Sequence, residues 1–379
     1  MQVEVKEQQA HDNRRFSLIS RVLIIGAAVV LFLLAINLIS YSFLHIRQQI
    51  GTAILSVADN PFIGLFIGLL LTAVIQSSST STAMIVALVG SGAMSLSSAV
   101  PIVMGANVGT TLTSTLVSLN YITKKREFRK AISAATVHDF YNIILVAILF
   151  PLEYHYRLLS RLSAGLVVWL TDHWKLNLTE AVPFGRGLLD GTGRWLASAI
   201  NNDWLLLLLA FVLLFITIKL ISRIVSRSLI GSDRQRLKQQ IFQSPYKAFA
   251  WGGILTAAVQ SSSITTSLIV PLVAKGKVSL SKAFPFVMGA NMGTTVTALA
   301  ATLFSTQAAL ELAMVHFLFN LFGALLFLPY QPVRRWPERL AAAFGKLTLR
   351  HRIYGFLYII LLFFAVPFLL IYCYRQGVF

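Results

Sequence analysis

The chain has 379 residues, of which 56% are apolar and only 12% are charged, and its mean hydropathy is +0.73. This composition is typical of an integral membrane protein and excludes an ordinary soluble globule. The single cysteine, Cys373, excludes an intramolecular disulfide and a cysteine-based metal site.

The net charge of +18 lies in short basic segments that flank apolar runs, at residues 6–21, 124–130, 223–247 and 334–352. Lys and Arg collect in this way in the cytoplasmic loops of membrane proteins, next to anionic lipids. We therefore interpret the charge as a topology signal with membrane lipids as partners, and we expect no nucleic-acid partner.

The hydropathy pattern divides the chain into five segments. In order, they are a cytoplasmic N-terminus with a first transmembrane helix (1–58), a first repeat (59–152), an external loop with a transmembrane helix and a basic cytoplasmic loop (153–242), a second repeat (243–328), and a basic cytoplasmic stretch with a last transmembrane helix (329–379). Three uninterrupted apolar runs are long enough to cross a core of ~30 Å: 22–43, 204–221 and 353–374. Turn residues and mixed charge predict a partly amphipathic loop at 153–203.

A stretch of 43 residues occurs twice. Residues 71–113 and 255–297 align at an offset of 184 without a gap, and 27 of the 43 positions are identical. Each copy contains Gln-Ser-Ser-Ser, starting at Gln76 and Gln260, followed by Gly-Ala-Asn-x-Gly-Thr-Thr. A repeat of this length in an apolar chain indicates the two halves of a transporter.

Each Gln-Ser-Ser-Ser lies between apolar arms of only about 10 to 15 residues, too short to cross a membrane. We therefore predict a re-entrant hairpin with the tetrad near its tip, and a return turn at residues 90–92 in the first copy. The next helix, at 97–119, is predicted to break at mid-depth, at Pro101 and the Gly-Ala-Asn-Val-Gly-Thr-Thr run.

The charges around the two copies are reversed. The return turn of the second copy carries Lys275, Lys277 and Lys282, where the first copy has uncharged residues. The first copy ends in the basic segment 124–130, whereas the end of the second, 304–307, is uncharged. The predicted fold is therefore an all-α integral membrane protein with two inverted-topology repeats, re-entrant hairpins and broken transmembrane helices.

The repeated segments offer hydroxyls, amides and free helix N-termini, which suit an anion, and unwound carbonyl groups, which suit Na⁺. Transporters with broken helices combine these two functions. Close helix packing by Ser, Thr and Gly is the alternative, but packing does not explain the doubled tetrad. For Asn107 and Asn291, a ligand role and a turn-residue role both remain open.

A related helix follows each copy. It places His138 and Asn142 on one helical face in the first half, and His316 and Asn320 in the second. For both histidines, a buried, hydrogen-bonded structural role is favoured over direct substrate contact.

Asp139 is the only acidic residue in the core of the first half. An intramembrane carboxylate is a functional candidate by default. The alternative for Asp139 is an ion pair with Arg129 or Lys130.

Catalysis is not indicated. Two equivalent serine clusters related by symmetry do not build a single activated nucleophile with its base. Phosphate-binding loops of the Gly-x-Gly-x-x-Gly and Gly-Lys-Ser/Thr types are absent from the sequence. We expect a transporter that is neither an enzyme nor an ATP-driven pump.

The motifs resemble those of the type II sodium-dependent phosphate cotransporter family. The likeness rests on the two Gln-Ser-Ser-Ser and Gly-Ala-Asn-x-Gly-Thr-Thr segments and on 127–140, and it covers 60–152 and 244–328. It implies sodium-coupled symport of inorganic phosphate by alternating access, with the tetrads facing each other at the bilayer midplane. Na⁺ would be the coupling ion, and no organic cofactor is implied.

Carried over residue by residue, the resemblance implies two binding sites. Phosphate would be held by Gln76, Ser77, Ser78, Ser79, Gln260, Ser261, Ser262 and Ser263. Sodium would lie among Thr80, Asn107, Thr110, Ser263, Asn291 and Thr294. Supporting roles are open to His138, Asp139, Asn142, His316 and Asn320.

The sequence departs from the family pattern at two points. Electrogenic members have an aspartate in the core of the first repeat, but no acidic residue lies between Asp59 and Glu127 here. This puts a third sodium ion in doubt. The disulfide of the large external loop in animal members is also missing, and the compact loops suggest a bacterial inner-membrane protein.

Phosphate export, and transport or channel conduction of another small anion, are the alternative functions. Distant bacterial relatives often have an added soluble helical domain, and because this chain stops at Phe379 without one, import is expected. Association into a homodimer is left open.

Overall fold

The computed structural model describes residues 23–43, 45–46, 60–174, 183–229, 240–303 and 305–376. Within these ranges the regular secondary structure is helical and contains no strand. Among these described residues, six helices are long and apolar enough to cross a membrane. The prediction of an all-α membrane protein is therefore confirmed. The predictions for 1–22 and for the centre of the basic loop, 230–239, lie outside the described residues.

The helices are numbered here in chain order. They are α1 Leu23–Phe43, α2 Pro61–Ile75, α3 Ser78–Gly90, α4 Leu96–Gly109, α5 Leu112–Ser118, α6 Lys125–Tyr156, α7 Leu158–Trp174, α8 Pro183–Ile200, α9 Asp203–Leu229, α10 Pro245–Val259, α11 Ser262–Ser267, α12 Ile269–Ala274, α13 Leu280–Ala300, α14 Gln307–Phe327, α15 Gln331–Arg350, α16 Ile353–Ile360 and α17 Val366–Arg375. A π-helical turn, Leu361–Ala365, joins α16 to α17.

The two copies of the repeat form corresponding helices around the tetrads. In the first copy, α2 has 15 residues and α3 has 13, and in the second, α10 also has 15. The second tetrad is followed by α11 and α12, which together cover Ser262–Ala274. These helices are the short arms expected on either side of each tetrad. In both copies a turn with a left-handed glycine, Gly92 or Gly276, leads into the next helix.

Glycines in the repeated motif allow two helices to pack closely. A Cβ atom at Gly105 of α4 would overlap the carbonyl oxygen of Leu65 in α2. A Cβ atom at Gly289 of α13 would overlap the carbonyl oxygen of Phe249 in α10 in the same way. Small residues serve this purpose at membrane helix interfaces. The motif therefore fixes α4 against α2 and α13 against α10.

The helix that contains the Gly-Ala-Asn motif agrees with the sequence expectation in the first copy only in part. It is interrupted at Thr110 and Thr111, within the run where a break was predicted, but Pro101 lies inside α4 without breaking it. In the second copy α13 continues through the whole motif, so the break expected there is absent. The close packing of these helices stabilises the helical conformation of residues that are poor helix formers in isolation.

The region at 153–203, predicted as a loop, contains the helices α7 and α8. The buried carboxylate of Glu153 caps α7 by accepting hydrogen bonds from Leu159 N, at 2.7 Å, and from the hydroxyl of Ser160. In α8, a Cβ atom at Gly193 would lie 2.6 Å from the side-chain oxygen of Asn37 in α1. Gly193, one of the turn residues on which the loop prediction rested, thus lies at a contact between two helices.

The return turn of each copy lies near the end of the other copy. A Cβ atom at Gly90 would overlap the hydroxyl of Ser305, just after α13. A Cβ atom at Gly276 would lie 3.1 Å from Lys130 Nζ, near the start of α6. Each return turn thus contacts the segment that follows the other copy, so the two copies make equivalent contacts with each other.

Candidate functional site

Both glutamines of the tetrads have the same uncommon backbone conformation. Gln76 has φ 56° and Gln260 has φ 53°, and each is followed by an extended serine with φ −150°. The left-handed region is costly for residues other than glycine, and such residues are concentrated at functional sites. The backbone reverses abruptly here, so that one helix ends at the glutamine and the next begins after the serine.

The first serine of each tetrad caps the helix that follows. Ser77 Oγ accepts a hydrogen bond from Thr80 N at 3.2 Å, and Ser261 Oγ accepts one from Ile264 N at 3.4 Å. Serine is a preferred residue at this position because its oxygen satisfies a free N–H group. Each tetrad is thus a helix N-terminus lined with hydroxyls.

The two tetrads contact each other reciprocally. Ser78 Oγ lies 3.3 Å from Ser262 Oγ, the equivalent atom of the other copy. Ser79 Oγ donates to the carbonyl oxygen of Gln260 at 2.9 Å. Ser263 Oγ donates to the carbonyl oxygen of Gln76 at 3.3 Å. Equivalent residues exchange equivalent contacts, as they do across a two-fold axis.

The contact zone is buried and rich in oxygen atoms. Ser78, Ser79, Ser262 and Ser263 are each at most 7% exposed. The side-chain oxygen of Gln260 is buried without a hydrogen-bond partner. The last two serines of each tetrad therefore meet in an environment of low dielectric. Gln76 is exposed, and Ser77, Gln260 and Ser261 are half-buried at the edge of this contact.

A network of amide side chains lies beside the motif helices. Asn291 Nδ2 donates to Asn142 Oδ1 at 3.0 Å and to Asn320 Oδ1 at 2.6 Å. Asn107 Oδ1 accepts from Asn320 Nδ2 and lies within hydrogen-bond distance of His316 Nε2, both at 3.3 Å. Asn107 and Asn291 are inside helices, so the turn-residue interpretation is wrong for both. The network links the two halves.

The two histidines differ in their contacts. His316 takes part in the amide network, which agrees with the structural role favoured for it. His138 is 1% exposed and lies beside the side chain of Asn291, although neither ring nitrogen forms a hydrogen bond of normal geometry. The buried position expected for His138 is therefore observed, next to the amide network.

The threonines expected near sodium have different environments. Thr80 Oγ1 lies 2.8 Å from Ser77 Oγ, whereas Thr294 Oγ1 donates to the carbonyl oxygen of Ala290 at 3.1 Å. Thr110 Oγ1 is buried and has no partner. Within the described chain, no hydrogen bond joins these threonines to Asn107 or Asn291.

Asp139 has no cationic partner among the described residues. The ion pairs there do not include it, so the interpretation as a partner of Arg129 or Lys130 is wrong. Instead, Tyr358 Oη donates to Asp139 Oδ2 at 2.7 Å. Asp139 and Tyr358 are 219 residues apart in the sequence, which explains why local sequence patterns did not indicate their contact.

A family profile described as "Na+/Pi-cotransporter" matches residues 31–184 and 213–349, which is most of the chain. The chain belongs to the Na⁺/Pi-cotransporter family. It is thus a member of a transporter family and not of an enzyme family, as predicted.

Two curated relatives illustrate the similarity within the Na⁺/Pi-cotransporter family. The mouse "Sodium-dependent phosphate transport protein 2A" is 32% identical over 90% of this chain and 66% of its own length. The human "Sodium-dependent phosphate transport protein 2B" is 28% identical over 93% of this chain and 65% of its own length. The chain thus spans about two thirds of the length of these relatives. No solved structure matches it significantly.

Several polar residues of this Na⁺/Pi-cotransporter family member reach the tetrads without having been predicted. Thr297 Oγ1 donates to Ser79 Oγ at 3.5 Å, and Thr266 Oγ1 donates to the carbonyl oxygen of Ser262 at 2.8 Å. Ser114 Oγ lies 2.9 Å from Thr266 Oγ1 and so reaches the second tetrad through Thr266. Thr297, Thr266 and Ser114 are buried. The repeat could have indicated Thr297 because its equivalent, Thr113, is also a threonine. Ser114 has no such signal, since alanine occupies the equivalent position, 298.

Proposed function

We propose that this chain is a sodium-coupled symporter that carries inorganic phosphate into the cell. The observation that carries the proposal is the reciprocal contact between the tetrads, in which Ser78 faces Ser262 and the next serines bond the opposite glutamines. Two hydroxyl-lined helix starts thereby converge on one buried place. Free N–H groups and the helix dipole favour an anion at such a place.

The donors of the candidate site are neutral. In the described chain, the hydrogen bonds and ion pairs of the eight tetrad residues include no Arg or Lys. A buried phosphate held only by neutral donors needs a compensating positive charge close by. Bound sodium ions supply this charge, which explains why transport of the anion requires the cation.

Sodium would be held by the oxygen atoms that surround the tetrads. Thr110 Oγ1 and the side-chain oxygen of Gln260 are both buried without partners. The oxygens of Thr80, Ser263 and Thr294 have hydrogen bonds and can still offer a lone pair. Asn107 and Asn291 would complete the set by breaking bonds of the amide network.

The proposal includes two inverted repeats that alternate in access around a site at the bilayer midplane. The return turn of the first copy, at Gly90, lies near Ser305 at the end of the second. The return turn of the second, at Gly276, lies near Lys130 after the end of the first. The motif helix of each copy begins at the return turn of that copy. Because its start lies beside the end of the other copy, these two contacts support an antiparallel arrangement of the copies. We expect the protein in a bacterial inner membrane, in contact with lipids.

The test is uptake of ³²P-phosphate into proteoliposomes that contain the purified protein. An inward sodium gradient should drive accumulation, whereas a potassium gradient of the same size should not. Uptake that does not respond to sodium would refute the proposal. An excess of unlabelled sulfate should leave phosphate uptake unchanged, and strong competition by sulfate would indicate another anion. Deletion of the gene should lower cell phosphate, whereas a rise would indicate export.

A further inference from the structure

The helix α15 is amphipathic, and one of its faces is packed against the protein. The buried residues on this face recur every three or four positions: Arg334, Pro337, Ala341, Gly345 and Thr348. A Cβ atom at Gly345 would overlap the hydroxyl of Ser133 and would lie 2.8 Å from the carbonyl oxygen of Arg129, both in α6. The first turns of α6 therefore hold this face of α15.

The outer face of α15 combines basic and apolar side chains. Trp336 is 57% exposed, and Leu340 and Leu347 are each 45% exposed. A basic residue precedes each of the three, and a fourth basic residue ends the helix. Because the four basic positions are separated by four or seven residues, they lie on one side of the helix. The outer face thus consists of seven exposed residues: Arg335, Trp336, Arg339, Leu340, Lys346, Leu347 and Arg350.

The charge of this outer face is not compensated within the described chain. Glu338 is the only acidic residue of α15. It pairs with the buried Arg334 at 3.9 Å and accepts a hydrogen bond from Ser281 at 3.1 Å. The other ion pair between described residues joins Lys124 to Glu127. Four exposed positive charges therefore have no acidic partner among the described residues.

The neighbours of α15 place it at a membrane surface. The candidate span Gln307–Phe327 ends shortly before it, and the candidate span Ile353–Arg375 begins shortly after it. Between them, α15 has five basic residues and is not apolar enough to cross a bilayer. A basic amphipathic helix of this kind lies in the interface, with Trp and Leu at the acyl boundary and with Lys and Arg at the lipid phosphates.

We propose that the outer face of α15 docks on the adjacent membrane leaflet and selects anionic phospholipids. The four cations would bind lipid phosphates, and Trp336, Leu340 and Leu347 would enter the acyl boundary. A soluble polyanion would neutralise the cations but would leave these three apolar side chains in water. Basic segments collect on the cytoplasmic side, where the leaflet carries anionic lipids. Because its opposite face is packed against α6, α15 would also anchor α6, which carries Asn142 of the amide network.

The test is quenching of Trp336 fluorescence in lipid nanodiscs that contain the full chain. The signal of Trp336 is the difference between a protein and the same protein with Trp336→Phe. The quencher is bromine on the acyl chains of one minor lipid in a phosphatidylcholine background. We expect brominated phosphatidylglycerol to quench Trp336 more strongly than the same fraction of brominated phosphatidylcholine. Added salt should reduce this preference, because it screens exposed charges.

Arg335→Gln together with Arg339→Gln should weaken the preference roughly 25-fold, about fivefold per charge. The matched control is Arg157→Gln together with Arg161→Gln. These two arginines are also exposed and four residues apart, but they follow the far end of α6, which has 32 residues and contacts α15 through its first turns. The control pair should leave the preference at Trp336 unchanged.

Three results would overturn the proposal. The first is equal quenching of Trp336 by the two lipids. The second is an α15 arginine variant that keeps the preference, or a control pair that loses it to the same extent. The third is quenching by neither lipid, because a second copy of the chain or another protein would then cover the face. If the α15 arginine variant does not fold, a preference of the wild type that salt does not change would overturn the proposal.

Discussion

The first and second copies of the repeat have the same turn but different structures after it. At the turn, Gln76 and Gln260 have nearly equal φ angles, and the serines exchange equivalent contacts. Beyond the turn, α4 ends at Gly109, whereas α13 continues to Ala300. Symmetry is therefore kept at the turns and in the glycine packing of α4 on α2 and of α13 on α10, and it is lost where the motif helix ends.

This difference bears on how the two copies would take part in anion and cation binding. A shared anion between two equivalent turns needs matched donors from both copies, so both must keep the tetrad. Cation binding has no such requirement. Under the proposed function we therefore expect equivalent tetrad variants to have similar effects on the anion, and the variants of Thr110 and Thr294 test whether cation binding is equivalent in the two copies.

The largest effect is expected from the packing glycines, in both copies alike. Gly105→Ala and Gly289→Ala place a methyl group on a backbone carbonyl of the neighbouring helix, so that each helix pair must separate. We expect each to lower the free energy of unfolding by about 3 kcal/mol, the upper part of the usual range for overpacking. Thermal unfolding in detergent measures this. Gly165→Ala, where nothing lies within 4 Å, is the control, and equal stability of all three would contradict the packing role.

The next effect concerns the tetrads. Ser77→Ala and Ser261→Ala should each weaken phosphate uptake roughly 10- to 100-fold, because each removes a donor worth about 1.5–3 kcal/mol to a buried anion. Loss of the helix cap should also cost about 1 kcal/mol of stability. Ser77→Gly and Ser261→Gly should lower stability less, because glycine is tolerated at an N-cap. They therefore separate the loss of the hydroxyl donor from the loss of the helix cap. Kinetics of ³²P-phosphate uptake measure the change.

Ser198→Ala is the matched control for the tetrad variants. Ser198 lies in α8 and donates only to Trp195 O, so uptake should not change. Near-normal uptake in both tetrad variants would move the anion site elsewhere. A defect in only one of them would show that the turns are not equivalent in function.

A smaller effect tests the asymmetry of cation binding. Thr110→Val removes a buried hydroxyl without a partner, while Thr294→Val removes one that bonds to its own helix. We expect the first to raise the sodium concentration for half-maximal uptake by up to about tenfold, equivalent to ~1.4 kcal/mol. The second variant should change it less. Sodium titration of phosphate uptake measures both, and equal shifts would argue for symmetric cation sites.

The smallest effect on stability is expected at the strained glutamines. Gln76→Gly and Gln260→Gly relieve a left-handed conformation but increase the entropy of the unfolded chain, so stability should change by less than about 1 kcal/mol. Uptake should nevertheless fall, because the amide is lost. Arg157→Gly, at φ 51° and remote from the tetrads, is the control with similar stability and unchanged uptake. Normal uptake in both glutamine variants would exclude the amides from the site.

The sequence by itself determined the class of protein and its candidate binding residues. Apolar runs of membrane-spanning length predict the spans, because the bilayer core requires continuous apolar side chains. The return turns at Gly92 and Gly276 could also be anticipated, since glycine tolerates the left-handed conformation. The doubled tetrad, together with the Gly-Ala-Asn motif, indicated the family that the profile match confirms.

The tertiary structure decided how the motifs are used. Local sequence patterns predicted a break in both copies and a loop at 153–203, yet α13 is continuous and α7 and α8 are helical. The contact of Ser78 with Ser262 spans 184 residues, and that of Asp139 with Tyr358 spans 219. Such contacts depend on which helix faces meet in the folded chain, and local propensity carries no information about distant partners.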